Sequence, residues 1–321
     1  MLDPLEMFGL RTRRVLPGVA LCGSPQRCAA RSVREDRQGR QWILEQLRRD
    51  QLDRRRAVAG ILERLRAMGL ERLPEIRRSV NQEHVGRCAG MHWQLTRYVP
   101  SDPLPRPGYL DHAERGVELA AFLTDFSPAC RNLPLKAADP LGPALDPLAY
   151  ARDLEETVRR AHPRVHSRLC AVLRGLKSHQ DALSALPVSW QHGDFHPLNV
   201  LWRGRKAVAV IDWEFLGLRP ECWDVGNMLG CLGFEHPSGL VGPLAAGLVQ
   251  GVARAGILSA ASWAVLPEFM VLQRSAWLAE WLRQGDGDLV DMELDYMEWL
   301  LREADHLRSV WNSAVPEGEA A

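Results

Sequence analysis

The stretch "QHGDFHPLNVLW" (191–202) sets two histidines, an aspartate, a proline and an asparagine directly before the apolar run Val200, Leu201 and Trp202. A buried strand excludes acid, imidazole and amide unless each finds a partner. The segment therefore reads as a loop that carries chemistry and then becomes a strand. After "NVLW" (199–202) come the turn "RGRK" (203–206) and "AVAVIDW" (207–213), the pattern of a tight hairpin of two apolar strands. Such a ribbon is expected to draw Asp194, Asn199 and Asp212 toward one of its ends.

The two parts are informative together. "HGDFHPLN" fits H-x-D-x-x-x-x-N, and the aspartate of "IDWE" lies 13 residues beyond its asparagine. Phosphoryl transfer needs a carboxylate to orient a hydroxyl and take its proton, and oxygen ligands for one or two Mg²⁺ ions. Magnesium prefers hard oxygen donors and keeps several waters, so one carboxylate and one amide suffice. In this reading Asp194 is the base, and Asn199 and Asp212 hold the metal. His196, before Pro197, reads as loop-shaping, and Trp190, Trp202, Trp213 and Trp223 read as core.

On these residues the segment "HGDFHPLNVLW…AVIDWEFLGLRPECWDVGNML" resembles the aminoglycoside phosphotransferase and choline kinase group, relatives of the protein kinases that phosphorylate small molecules. The resemblance is most specific between residues 190 and 230. It implies an α+β, two-lobed protein-kinase-like fold, with a small antiparallel-sheet N-terminal lobe and a larger, mostly helical C-terminal lobe. It also implies ATP and Mg²⁺ as cofactors and a small-molecule hydroxyl as acceptor. By the same resemblance His192 supports the catalytic loop, Asp224 of "DVGN" braces it, and "LTRYVP" (95–100), with Tyr98 and Val99, is the hinge beside the nucleotide.

The flanking sequence agrees with two lobes. "RRVLPGVALCG" (13–23), "RCAARSVRE" (27–35) and "RQWILEQL" (40–47) predict an antiparallel meander. Val58, Ile61, Leu62 and Leu65 give helical spacing that Gly69 ends. "GMHWQLTRYVPSDPLP" (90–105) adds a strand and a proline-rich connector, which sets the expected domains at 1–99 and 100–321. Beyond it helices dominate: one from Asp111, where Asp111 and Glu114 have capping-box spacing, one over about 148–184 broken at Pro163, and a run to the C-terminus. There Met292, Tyr296, Trp299, Leu300 and Leu307 form an expected core stripe.

The nucleotide lobe departs from the family pattern. Its third strand carries Glu45 where the resemblance implies a phosphate-binding lysine, and residues 1–135 contain no lysine. Arginine binds phosphate oxygens in a fork and stays charged, so Arg31, Arg34 and Arg48 are candidates, with Arg31 and Arg34 assigned to the nucleotide alongside Tyr98 and Val99. "LPGVALCGS" (16–24) supplies Gly18 and Gly23 but no G-x-G-x-x-G. A second reading follows, a catalytically impaired pseudokinase that serves as a binding module.

Composition bounds the rest. A 321-residue chain with 46% hydrophobic and 25% charged residues folds around a sizeable core. Zero formal net charge gives no electrostatic case for nucleic acid or a membrane surface. Seven cysteines, an odd number without a C-x-x-C pair, and the lack of a long apolar run suit a reducing cytoplasm. The acidic run "GDGDLVDMELDYMEW" (285–299) has either of two readings, a contact for an amine-bearing acceptor or a solvated helix face.

Overall fold

Strands β1 (Thr12–Val15), β2 (Ala30–Asp36) and β3 (Gln41–Leu47) pair antiparallel in sequence order, as their patterns predict. The computed structural model describes residues 3–19, 21, 28–133 and 140–313. Gly23 lies outside them. The β2–β3 turn is tied by the Asp36 carboxylate, which accepts from the backbone N–H groups of Gln38 and Arg40 and from Trp42 Nε1.

The chain divides into two units. One comprises Met1–Leu104, Ala129–Pro143 and Leu198–Leu216; the other comprises Pro105–Pro128, Ala144–Pro197 and Gly217–Ala321. In the first, the 16-residue helix α1 (Leu52–Ala67) follows β3 and buries Val58, Ile61, Leu62 and Leu65. Gly69, at φ +98°, ends it, with the Leu70 N–H returning to Leu65 O at 3.2 Å. The short strands β4 (Ile76–Arg77) and β5 (Gly86–Cys88) both pair with β6 (Met91–Arg97), giving the order β1-β2-β3-β6-β4 with β5 also on β6.

The two-residue period of β3 sorts this sheet's faces. Trp42 and Leu44 pack with Leu5, Phe8, Leu10 and Leu95 on one side. Ile43 and Glu45 face a cavity on the other, together with Val58 and Leu62 of α1.

The second unit contains helices α2 (Ala113–Arg131, in its larger part), α3 (Pro147–Ala161), α4 (Pro163–Gly175) and α5 (Gln180–Ser184), so the predicted break at Pro163 is present. Helix α2 starts two residues after Asp111, which closes a 3-10 turn. Strand β7 (Val188–Gln191) precedes the loop. The hairpin β8 (Val200–Arg203) and β9 (Lys206–Val210) forms as predicted and belongs to the first unit, turning at Gly204 with φ +56°.

After it, β10 (Gly217–Pro220) pairs antiparallel with β7, with Gly217 opposite Gln191. Helices α6 (Trp223–Glu235), α7 (Pro243–Arg254), α8 (Ala260–Ala264), α9 (Leu266–Gln284) and α10 (Gly287–Ser313) complete the unit. In α10, Tyr296, Leu300 and Leu307 are buried, whereas Met292 is 44% exposed. The stripe runs through Val290, Leu294 and Met297 instead. No helix among the described residues is long and apolar enough to cross a membrane.

Candidate active site

In the helical unit the loop after β7 is held from α6. Asp224, 1% exposed, accepts the His192 N–H through Oδ2 at 2.7 Å and the Gly193 N–H through Oδ1 at 2.9 Å. Gly193 sits at φ +88°, a left-handed conformation that a side chain would strain. The fully buried His192 turns Nδ1 back to accept the Asp194 N–H at 3.1 Å. The Gln191 side chain accepts the Asp224 N–H, and the Trp223 indole donates to Gly193 O. The backbone leading into Asp194 is thus fixed by hydrogen bonds at His192, Gly193 and Asp194 itself. Burial pushes the Asp224 carboxyl up to about 6, against the opposing pull of the Gly193 and His192 N–H groups.

The remainder of this loop is equally tied. Asn227 donates to Phe195 O at 3.1 Å and accepts from the Trp277 indole at 3.3 Å. His196 Nε2 lies 3.7 Å from Asp194 Oδ2, with its ring edge-on to Trp277. Trp190, Trp202, Trp213 and Trp223 are buried, as their reading as core requires.

In the strand unit, Asn199 and Asp212 stand at the open end of the β8–β9 hairpin. The Ile211 N–H bonds to Asn199 O at 2.9 Å, one rung beyond the Val200–Val210 pair. Asn199 is 3% exposed. Asp212 has φ +63° and ψ +53°, uncommon for a non-glycine residue and tolerated best by Asn and Asp. The turn after it is held from α1: the Arg54 guanidinium donates to the backbone oxygens of Glu214, Leu216 and Leu141, the last two at 3.0 and 3.1 Å. Burial lowers the Arg54 pKa while the Glu214 charge raises it. An arginine fork spent on carbonyls is a geometric fixture for the Asp212 turn.

Asp212 also lines the cavity under the sheet, which has a volume of about 330 Å³ and includes Arg31, Glu45, Gln94, Tyr98 and Val99 in its wall. Glu45 lies between Arg31 of β2 and Gln94 of β6 in register, and Arg55 Nη1 of α1 approaches its Oε2 at 3.4 Å. The resemblance implies a strand cation paired with a helix anion; here the strand carries the anion and the helix the cation. Arg31 lines the cavity, as does Arg55. Arg34 is on the opposite face of β2, 3.5 Å from Asp3. Arg48 is not among the lining residues.

Arg54 and Arg55 were not singled out from the sequence. A signal was available for Arg55, which stands three and seven residues before Val58 and Leu62 on the buried stripe of α1. Gln94 Nε2 is buried without a hydrogen-bond partner, an orphan donor in the wall of a cavity. Tyr98 N–H closes the ladder on Gln41 O, so the chain leaves the sheet at the cavity's edge.

The acidic run separates into different roles. Glu293 is fully buried in a two-pronged pair with Arg274 and accepts the Trp281 indole. Asp291 and Asp295 pair with arginines of α4, Asp295 with Arg168 at 2.6 Å. Asp286 accepts the Leu289 N–H at the start of α10.

Residues 29–266 match the family described as "Phosphotransferase enzyme family". Among solved structures the chain is similar to the amicoumacin kinase hAmiN in complex with AMP-PNP, Ca²⁺ and Ami (15% identity, TM-score 0.67, covering 91% of this chain and 90% of that one). It is also similar to aminoglycoside 2′-phosphotransferase-IIIa in its GDP complex (15%, 0.62, 92% and 94%). A third is the macrolide 2′-phosphotransferase MphH from Brachybacterium faecium as apoenzyme (14%, 0.58, 91% and 95%). The similarity establishes the α+β, two-lobed protein-kinase-like fold expected from the sequence. No curated protein matches the sequence.

Proposed function

The chain belongs to the phosphotransferase enzyme family, and on that footing we propose that it moves the γ-phosphate of ATP, with Mg²⁺, to a hydroxyl group of a small molecule. The observation that carries this reading is the pairing of an amide and a carboxylate, Asn199 and Asp212, at one hairpin end, with Asp212 in the wall of a cavity that holds an orphan donor. Roughly 300–1,000 Å³ is the usual size of small-ligand pockets, and this cavity falls within it.

The donor set fits a hard divalent cation, since both side chains offer oxygen. Bound there, Mg²⁺ would neutralise phosphate charge. Asn199 and Asp212 would hold it, and Arg54 would keep the Asp212 turn in place. Arg31 and Arg55 would supply the positive charge that a strand lysine supplies elsewhere, while Glu45 holds Arg55. Tyr98 and Val99, where the chain leaves the sheet, would edge the base, with Gln94 Nε2 donating to the nucleotide.

Asp194 would accept the acceptor hydroxyl's proton as that oxygen bonds to phosphorus and the β–γ bridge breaks. His192 and Asp224 would act only through the loop backbone. An amine-bearing acceptor draws no support from Glu293, Asp291 or Asp295, which are already matched by arginines. A soluble, cytoplasmic enzyme suits both cofactors.

The second reading, a binding module without turnover, is favoured by one observation, the anion Glu45 at the lysine's place. One experiment separates them: ADP release with a panel of sugar and amino alcohols at millimolar Mg·ATP, alongside the melting temperature. Release that Asp194→Asn and Asp212→Ala each abolish, with a nucleotide-dependent rise in melting temperature, supports transfer. A rise without release leaves the binding module, and neither effect removes both.

A further inference from the structure

Helices α3 and α4 meet at a bend on His162, whose N–H bonds to Val158 O while its own carbonyl accepts the His166 N–H. Pro163 starts α4 with its fixed φ and without needing a donor. The bend folds the second helix back on the first, so His166 and Cys170, four residues and about one turn apart, face Glu155. Cys170 Sγ is 3.1 Å from Glu155 Oε1 and 3.2 Å from His166 Nε2, and the latter two atoms are 3.7 Å apart. All three residues are half-buried. Glu155 and Cys170 also line a cavity of about 280 Å³ within this unit. Nothing in the phosphate-transfer reading uses them.

We infer that Glu155, His166 and Cys170 form a binding site for a zinc-class transition-metal dication that clips α3 to α4. Tetrahedral ligands at ordinary Zn–S, Zn–N and Zn–O lengths are about 3.3 to 3.6 Å from one another, and the three observed separations bracket that range. A point about 2.0 to 2.3 Å from all three atoms therefore exists without moving the backbone. One thiolate, one imidazole and one carboxylate select a borderline-soft ion such as Zn²⁺ over Mg²⁺, which wants oxygens alone. Water from the cavity would take the fourth position.

Burial and the neighbouring Glu155 raise the pKa of the Cys170 thiol and so favour its proton, with Arg174 opposing. Binding releases that proton to solvent and leaves thiolate and carboxylate matched by the two charges of the ion. The competing account is a hydrogen-bonded trio in which the thiol donates to Glu155 and no metal binds.

The test uses the full chain, reduced and stripped with a chelator, titrated with Co²⁺ and then Zn²⁺. The expected result is a near-ultraviolet thiolate-to-cobalt charge-transfer band that saturates at one equivalent, is removed by Zn²⁺ and is untouched by millimolar Mg²⁺. Cys170→Ser abolishes the band, His166→Ala weakens Zn²⁺ binding at least about tenfold, and Cys88→Ser changes neither. Should a variant fail to fold, the wild type decides alone: Zn²⁺ shields Cys170, but not Cys88, from iodoacetamide, as mapped by mass spectrometry. A missing band, a band that survives Cys170→Ser, or alkylation of Cys170 indifferent to Zn²⁺ overturns the site.

Discussion

The loop around Asp194 in the helical unit and the wall around Glu45 in the strand unit are held by different kinds of bond. Asp224 grips two backbone N–H groups, and neither donor is changed by substituting the residues that carry them. Glu45 meets Arg55 through side chains, and a side-chain pair depends on the product of two charges, so exchanging both signs keeps the attraction. The first arrangement carries the residues on which the resemblance rests, His192, Asp194 and Asp224. The second carries its charges the other way round from what that resemblance implies, with Glu45 on the strand and Arg55 on the helix, and Arg31 and Arg55 both line the cavity.

That contrast can be broken in order of effect. Asp194→Asn is expected to lower turnover by about 10²–10⁴-fold, the usual worth of a positioned base, while the melting temperature stays near the wild-type value. Comparable turnover in both proteins would remove Asp194 from the chemistry. Asp224→Ala leaves the buried His192 N–H and the part-buried Gly193 N–H unmatched, at about 1–3 kcal/mol for the buried one and less for the other, so denaturant titration should show a clear loss of stability together with a loss of rate. Unchanged stability would mean that the loop is held by something else.

The same carboxylate sets a pH dependence. Its folded pKa of about 6 lies above the ordinary value of 3.8, so the native state binds this proton more tightly than the unfolded chain. Stability from this group is full below the ordinary value and is lost as pH rises through about 6. Activity is expected to run the other way, because both oxygens of the ionised carboxylate accept, from His192 and from Gly193. A pH–rate profile should therefore fall on the acid side near pH 6, in a range where this group adds stability. In Asp224→Asn, whose one amide oxygen can accept from only one of the two N–H groups and which does not titrate, the remaining activity should lose that limb.

Smaller effects test the strand unit. Arg55→Ala should raise the KM for nucleotide about tenfold, the loss of one charge-assisted contact, and the double exchange Glu45→Arg with Arg55→Glu should recover most of it. No recovery would show that the pair's orientation matters beyond its attraction. The smallest effect belongs to Asp291→Asn, an exposed partner of Arg164 and Arg168, at under about 0.5 kcal/mol. A change in KM for the acceptor in that variant would return the acidic run to substrate contact.

Local pattern carried much of this architecture. Strand alternation, the α1 stripe ending at Gly69 and the "RGRK" turn depend on neighbours a few residues apart, and each is visible in order along the chain. Asp194, Asn199 and Asp212 pointed to phosphate chemistry because it needs a carboxylate base and oxygen ligands for a metal, while His192 and Asp224 entered only through the resemblance to a known family.

Pairings across long separations were decided only in three dimensions. The β7–β10 ribbon pairs Val188–Gln191 with Gly217–Pro220, whose glycine and proline disguise a strand. Arg54 reaches carbonyls 160 and 162 residues away, and Glu293, one acid in a charged run, is buried because Arg274 of α9 comes to it. A side chain's burial and partner are properties of what packs against it, so residue type and spacing name the candidates while tertiary contact assigns the roles.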